Sequence, residues 1–214
     1  MASLNQRIDK VFIDTTCQNS KLARRAWDFF DTNKIELIDK KDLNKNVGTL
    51  DSEAFAQSKR QLWLTRFEGQ FFKRCPGARP GLACCNYFVL NWGQQCDMNC
   101  SYCYLQSFIN SPLTTLYTNI DDAFAELKHI AQGLKDKKVR VGTGELVDSL
   151  SMDEFTRFSV ETIEFFRDYP QWQLEFKTKS DKVATFLNTE HSDNVIVSWS
   201  INPESVVSHE EHRT

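Results

Sequence analysis

No apolar run in these 214 residues approaches the roughly 20 that a membrane-crossing helix needs, and the opening MASLNQRIDK lacks the apolar core of a secretory signal. Membrane-spanning and exported classes are set aside, and the expectation is a soluble cytoplasmic protein. An excess of one charge is missing as well: 26 Lys and Arg face 29 Asp and Glu, for a formal net charge of −3 and a pI near 5.8. Proteins held to DNA by bulk charge show the opposite balance, so any nucleic-acid contact has to come from a local basic face. Neither a repeat of fixed period nor a low-complexity tract interrupts the chain, which removes solenoids and compositionally biased linkers. At 41% hydrophobic residues, the length suffices for one substantial core with room for a small second one.

Cysteine is present in force. Seven is an odd number, and without an export signal a disulfide framework is not expected, so metal, cluster or redox chemistry is the better reading. The cysteines are also grouped: Cys17 stands alone, Cys75, Cys84 and Cys85 form one set, and Cys96, Cys100 and Cys103 form another.

Along the chain, VFID (Val11 to Asp14) and KIELI (Lys34 to Ile38) read as strands flanking a helix over Lys21 to Phe30, a βαβ pattern. A polar, Lys-rich stretch from Asp39 to Asn46 reads as a loop and LWLTRF (Leu62 to Phe67) as a return to strand. Pro76, Gly77, Pro80 and Gly81 punctuate a boundary, giving an N-terminal α/β segment over residues 1–80 and a second domain over 81–214. From Asn86 short apolar strands alternate with amphipathic helices, as in parallel β/α architecture. YFVLNW (Tyr87 to Trp92), KVRVGTG (Lys138 to Gly144), QLEFKTK (Gln173 to Lys179) and NVIVSWSIN (Asn194 to Asn202) are the strands. Asp121 to Leu134 and Met152 to Arg167 are the helices, the second with Phe155, Phe158, Ile163 and Phe166 on one face and Ser151 with Glu154 as a capping box. Four β units do not close a barrel, whose eight units take about 250 residues. The fold class is therefore α/β: a partial (β/α) barrel of TIM-barrel type, truncated before its last β/α units, behind a small α/β segment.

The most informative stretch is NWGQQCDMNCSYCYLQ, in which Cys96, Cys100 and Cys103 follow a CxxxCxxC spacing directly after a strand. Short spacings let one loop wrap several thiolates around one iron-sulfur cluster. Three thiolates for four irons leave one iron open to a substrate or cofactor, as catalytic metal sites keep a position free. A zinc site of three cysteines and a histidine is the competing metal reading, but no histidine lies on the loop; three coincidental core cysteines are the other alternative.

This loop resembles that of the radical S-adenosylmethionine (radical SAM) superfamily, and the wider chain resembles the spore photoproduct lyase-like family. The second likeness is carried by CSYCYLQ (Cys100 to Gln106), LYTNIDDAF (Leu116 to Phe124), GTGELVDSL (Gly142 to Leu150), FKTKS (Phe176 to Ser180) and SINPESVVSHEEHRT (Ser200 to Thr214). The resemblance implies a radical SAM barrel in which a 4Fe-4S cluster on Cys96, Cys100 and Cys103 reductively cleaves S-adenosylmethionine to a 5'-deoxyadenosyl radical. It implies Tyr102 against the adenine, Gly144 and Glu145 at the methionyl amino group, Lys179 at the carboxylate or ribose side, and Ser200 at the same mouth of the barrel as a further cofactor-binding candidate. Tyr104 is implied as a catalytic hydrogen relay, a flavodoxin- or ferredoxin-like protein as electron donor, and photoproduct-bearing DNA as the family's substrate. For Glu145, Lys179 and Ser200 the plainer alternative is a polar residue solvating a strand end.

Two features depart from the family. The lyases return a hydrogen atom from a cysteine near the second strand's tip, whereas RVGTGE carries no thiol between Arg140 and Glu145. Cys75, Cys84 and Cys85 are extra, and read as linker packing, as a substitute donor or as ligands of a metal. Trp63, Phe71 and Phe72 lie near Lys59, Arg60, Arg66, Lys73 and Arg74, which reads either as core beneath a solvated face or as a stacking surface for single-stranded nucleic acid. The rival to a radical enzyme is a non-catalytic iron-sulfur or metal-binding module, or an inactive fragment of the family.

Overall fold

The computed structural model describes residues 3–43, 51–77, 79, 81, 83, 85–109, 111, 113–134 and 137–212. Pro80, Cys84, residues 44–46 of the Lys-rich stretch, and Arg213 with Thr214 lie outside the described residues. The strands, in chain order, are β1 Lys10–Asp14, β2 Ile35–Ile38, β3 Gln61–Thr65, β4 Phe72–Arg74, β5 Tyr87–Leu90, β6 Gly93–Gln94, β7 Asn99–Cys100, β8 Thr114–Tyr117, β9 Val139–Gly142, β10 Trp172–Thr178, β11 Val195–Trp199 and β12 Glu211–His212.

Contacts divide the chain into two compact units. The first comprises Met1–Glu68, Gly93–Asn119 and Ile201–Thr214, the second Gly69–Trp92 and Ile120–Ser200. This division follows space, whereas the sequence boundary near residue 80 follows turn residues along the chain, and the two draw their lines in different places.

In the first unit the sheet order is β2-β1-β3-β8-β6, with β6 antiparallel to β8 and the other pairs parallel. Val11 and Ile13 of β1 and Leu62 and Leu64 of β3 are fully buried, and Val11 sits between Ile35 and Leu62 in register. A helix over Lys21–Phe29 follows β1, capped by Ser20 Oγ, which accepts from the Ala23 amide at 3.2 Å. It buries Ala23 and Ala26, small residues that allow close packing. A helix over Ser52–Ser58 and the strand β8 are additions to the elements read from the sequence, and Lys40–Leu43, in the stretch read as a loop, form a short helix.

In the second unit β5, β9, β10 and β11 form a parallel array in that spatial order, with β4 antiparallel on the outer side of β5. These are the four strands expected of the partial barrel. Trp172 is fully buried, with its ring 5.8 Å from Phe72, which stacks at 4.7 Å on Phe88. Phe155, Phe158, Ile163 and Phe166 are all buried, as their spacing predicts.

The helix carrying them is broken, however, into Asp153–Thr156 and Phe158–Phe166 at Arg157, whose φ is 52°. The break is bridged by Asp153, whose carboxylate accepts from the Ser159 amide at 2.8 Å and from its hydroxyl at 2.5 Å. The N-cap position of the first piece is held by Met152, one residue beyond Ser151, and Met152 makes no side-chain cap hydrogen bond. None of the described helices is long and apolar enough to cross a membrane.

Candidate cluster loop and cofactor-binding strand ends

The residues singled out in the sequence fall in two places, one in each unit. In the first unit the chain crosses β8 at Gly93, where a Cβ would stand 2.7 Å from the Thr115 carbonyl oxygen, and enters the cysteine loop. Gln95 takes a φ of 64° and is fully buried, donating from Nε2 to the Ser111 carbonyl at 3.1 Å. Asp97 is held by Arg7 in a buried ion pair of 2.5 Å. Lys59, fully buried, donates from Nζ to the Met98 carbonyl at 2.7 Å. Asn99 and Cys100 form β7, which pairs antiparallel with β12. The Ser101 amide then donates to the Glu210 carbonyl at 2.8 Å, and the Cys103 amide to the Cys100 carbonyl at 3.1 Å.

Cys100 is buried while Cys96 and Cys103 are half-buried, and none of the described cysteines is in a disulfide. Among the described residues no three Cys, His, Asp or Glu side chains converge on a single-ion position. A four-iron cube takes each thiolate at a different iron, which spaces its ligands more widely than one ion does. Three soft donors on one braced loop, with no histidine among them, fit that cluster in kind and number.

Tyr102 is 52% exposed, yet its hydroxyl is fixed. It donates to Glu211 Oε1 and accepts from Asn202 Nδ2 at 3.0 Å, and the same Asn202 nitrogen donates to Glu211 Oε1 at 2.6 Å. The ring is thereby held at its hydroxyl while about half of the residue stays exposed. Tyr104, 58% exposed, opens the helix Leu105–Phe108, its ring 5.9 Å from Phe108. Asn202, Glu210 and Glu211 were not foreseen; their only sequence signal is their place inside the last family-like stretch.

In the second unit Gly144 and Glu145 follow β9, Lys179 follows β10 and Ser200 follows β11, so all four stand at carboxyl ends of parallel strands. Lys179 Nζ donates to the Ser200 carbonyl at 3.1 Å, which brings two of them together. A Cβ on Gly144 would lie 2.8 Å from the Lys177 carbonyl and from Ser149 Oγ, so the turn admits only glycine there. Glu145 is half-buried, and burial pushes its carboxyl above the usual range despite the opposing pull of Lys73.

The organiser of this end is Asp148, which the sequence reading passed over. Its Oδ1 accepts from the Leu150 and Ser151 amides, each at 2.9 Å, and from Thr178 Oγ1 at 2.7 Å, while Oδ2 accepts from the Lys179 amide at 2.9 Å. Ser149 adds a two-way link to β10, its amide donating to the Lys177 carbonyl and its Oγ accepting from the Lys177 amide. An Asp followed by Ser-Leu-Ser is a turn signal that could have flagged both.

Trp63, Phe71 and Phe72 are buried, and Lys59 is spent on Met98, so the stacking surface read from these aromatics gives way to core packing. Cys85 is exposed and Cys75 half-buried, with Sγ of Cys75 accepting from the Gly77 amide at 3.4 Å; tight packing does not account for Cys85.

Comparison with known proteins fits this arrangement. The chain is 29% identical over 120 residues to a spore photoproduct lyase from a Geobacillus species, an alignment covering 56% of this chain and 35% of that protein. It is 24% identical over 128 residues to the one from Bacillus subtilis, covering 59% and 37% respectively. The fold matches a solved spore photoproduct lyase variant with bound AdoMet and dinucleoside spore photoproduct at a TM-score of 0.82 and 22% identity, over 97% of this chain and 60% of that one. A structure of the lyase complexed with the dinucleoside photoproduct gives the same TM-score at 21% identity. These alignments thus span little more than a third of the curated relatives' length. The model of the family described as spore photoproduct lyase matches residues 7–214, and the chain belongs to that family.

Proposed function

We propose that this chain carries the radical-initiating apparatus of a radical S-adenosylmethionine enzyme of lyase type. The observation that carries the proposal is the loop of Cys96, Cys100 and Cys103, three thiols in a segment braced at Asp97, Met98, Cys100 and Ser101. A 4Fe-4S cluster with one iron free of protein thiolate supplies, when bound, the electron that cleaves S-adenosylmethionine to a 5'-deoxyadenosyl radical.

The chain's residues then bind and orient. The Tyr102 ring, held at its hydroxyl, offers a face to the adenine. Glu145 accepts from the methionyl ammonium, with Gly144 letting the backbone come close. Lys179, resting on the Ser200 carbonyl, offers its charge to the carboxylate. A cofactor ammonium beside Glu145 draws its carboxyl back to the ionised form, so S-adenosylmethionine binding weakens as pH falls into the raised range of that group.

Solved relatives bind a dinucleoside spore photoproduct, and the proposal extends that substrate class to this chain, with a flavodoxin- or ferredoxin-like protein as electron donor. Hydrogen return is the step at which it departs, since Arg140 to Glu145 holds no thiol. Tyr104, exposed beside Cys103, remains the candidate relay.

Anaerobic reconstitution tests the whole. The expected result is a 4Fe-4S EPR signal that shifts on adding S-adenosylmethionine, formation of 5'-deoxyadenosine under dithionite, and loss of both in Cys100→Ala. A cluster indifferent to the cofactor would identify a binding module instead. Deoxyadenosine formation that dinucleoside photoproduct leaves unchanged would remove the substrate assignment alone.

A further inference from the structure

The first unit's strands run β2-β1-β3-β8, so the chain leaves β1 to one side for β2 and returns to its other side for β3. In an open α/β sheet such a reversal parts the loops at the carboxyl ends of the strands, and ligands bind in the crevice that opens there. A crevice of about 470 Å³ lies at this place, with Asp14 and Thr16 after β1, Thr65 and Arg66 at β3, and Asp39, Lys40 and Lys41 after β2 among its walls. It is separate from the cysteine loop, and no role described above uses it.

Its chemistry narrows the ligand. In dinucleotide folds the turn after β1 offers backbone amides to a pyrophosphate. Here that turn is closed by Asp14, whose Oδ1 accepts from the Thr16 amide at 3.0 Å and the Thr16 hydroxyl at 2.7 Å, and whose Oδ2 accepts from Thr65 Oγ1 at 2.9 Å. A buried carboxylate at the floor repels phosphate, so an anion has to sit at the rim, where Lys40, Lys41 and Arg66 stand and where it competes with Glu68, 3.9 Å from Lys40 Nζ, for that lysine.

Asp39, at the tip of β2, occupies the position where α/β sheets place an acid for sugar hydroxyls. Thr15 Oγ1 donates to its Oδ1 at 2.5 Å and Lys41 Nζ lies 3.3 Å from its Oδ2, and the Thr15 bond, then Lys41, hold its carboxyl below the ordinary range, ready to accept. Among the described lining residues no side chain is aromatic or aliphatic, so they offer no stacking face for a base.

We propose that this crevice binds a sugar phosphate, with Asp39 accepting from the sugar hydroxyls and Lys40, Lys41 and Arg66 holding the phosphate. The ligand is either a free pentose phosphate or the 5'-phosphorylated end of an RNA strand, which share the phosphate and the ribose 2'-hydroxyl. The site stands apart from the cluster reading and does not depend on it.

Calorimetric titration of the full chain tests it, with ribose 5-phosphate as probe and ribose, inorganic phosphate and 5'-phosphorylated oligouridylate as comparators. Ribose 5-phosphate is expected to bind saturably, about tenfold or more tighter than phosphate or ribose alone. A Lys40→Ala, Arg66→Ala double variant is expected to weaken it about tenfold or more, with unchanged thermal melting because both side chains are exposed. Asp39→Asn should narrow the preference for ribose 5-phosphate over phosphate. Competition by the oligonucleotide assigns the strand end as the source, and its absence assigns the free sugar phosphate. No saturable binding up to the order of 10 mM, equal affinity for inorganic phosphate, or indifference to the double variant overturns the proposal.

Discussion

Two loops carry the candidate chemistry, and they are held in opposite ways. The cysteine loop is braced from far along the chain: Arg7 reaches Asp97, Lys59 reaches Met98, and Glu210 and Glu211 reach Ser101 and Tyr102. The turn after β9 is braced by its own Asp148 and Ser149 against the neighbouring strand β10. A cluster has to be loaded and then kept from slipping, which suits a loop fixed at several distant points. A cofactor has to enter and leave, which suits a turn whose hold is local and adjustable.

The largest effect belongs to the distant brace. Asp97→Ala leaves the Arg7 guanidinium buried without its carboxylate, and breaking such a pair costs about 3–5 kcal/mol. Chemical denaturation should show that loss, with iron content after reconstitution falling although no thiol has changed. Full iron loading with unaltered stability would break the comparison at this end. An intermediate effect belongs to Asp148→Ala, which strands two loop amides and a strand-end amide. We expect a loss of about 2–3 kcal/mol, weaker S-adenosylmethionine binding by equilibrium dialysis, and unchanged iron content. If iron falls as well, the turn is not a local device.

The smallest effect sharpens the comparison. Because burial raises the folded-state pKa of Glu145, the unfolded chain gives up this proton first as pH rises, and ionisation then works against folding. Glu145→Gln should therefore melt slightly higher than the parent protein at pH 7. The gap should close as pH falls below the ordinary carboxylate value of about 4.3. A carboxylate kept at a cost to stability is a mark of use in binding.

Much of this was legible in the sequence because it is written locally. The strands β5, β9, β10 and β11 announce themselves through short apolar runs, and the cysteine spacing through three residues on one loop. What was hidden is written at long range or by exception. Nothing near Arg7 says that its partner is Asp97, and nothing in the helical periodicity from Met152 to Arg167 says that the chain breaks at Arg157, where Asp153 bonds the Ser159 amide. Strand β8 escapes notice because TTLY is short and only its tertiary neighbours make it a strand. Likewise Trp63, Phe71 and Phe72 sit among cations in sequence but in the core in space.

The pairing of β7 with β12 also sets a clock. Ser101 and Tyr102 meet Glu210 and Glu211 across 109 residues, so during synthesis the cysteines leave the ribosome well before the segment that clamps them. At the usual pace of translation that interval is roughly 5 to 20 s. For that time three nucleophilic sulfurs travel on a loop that is not yet closed, exposed to oxidants and to premature metal. Any cluster the loop takes is clamped only once Glu210 and Glu211 have been made, and the cell's protection of nascent thiols becomes part of how the site is made.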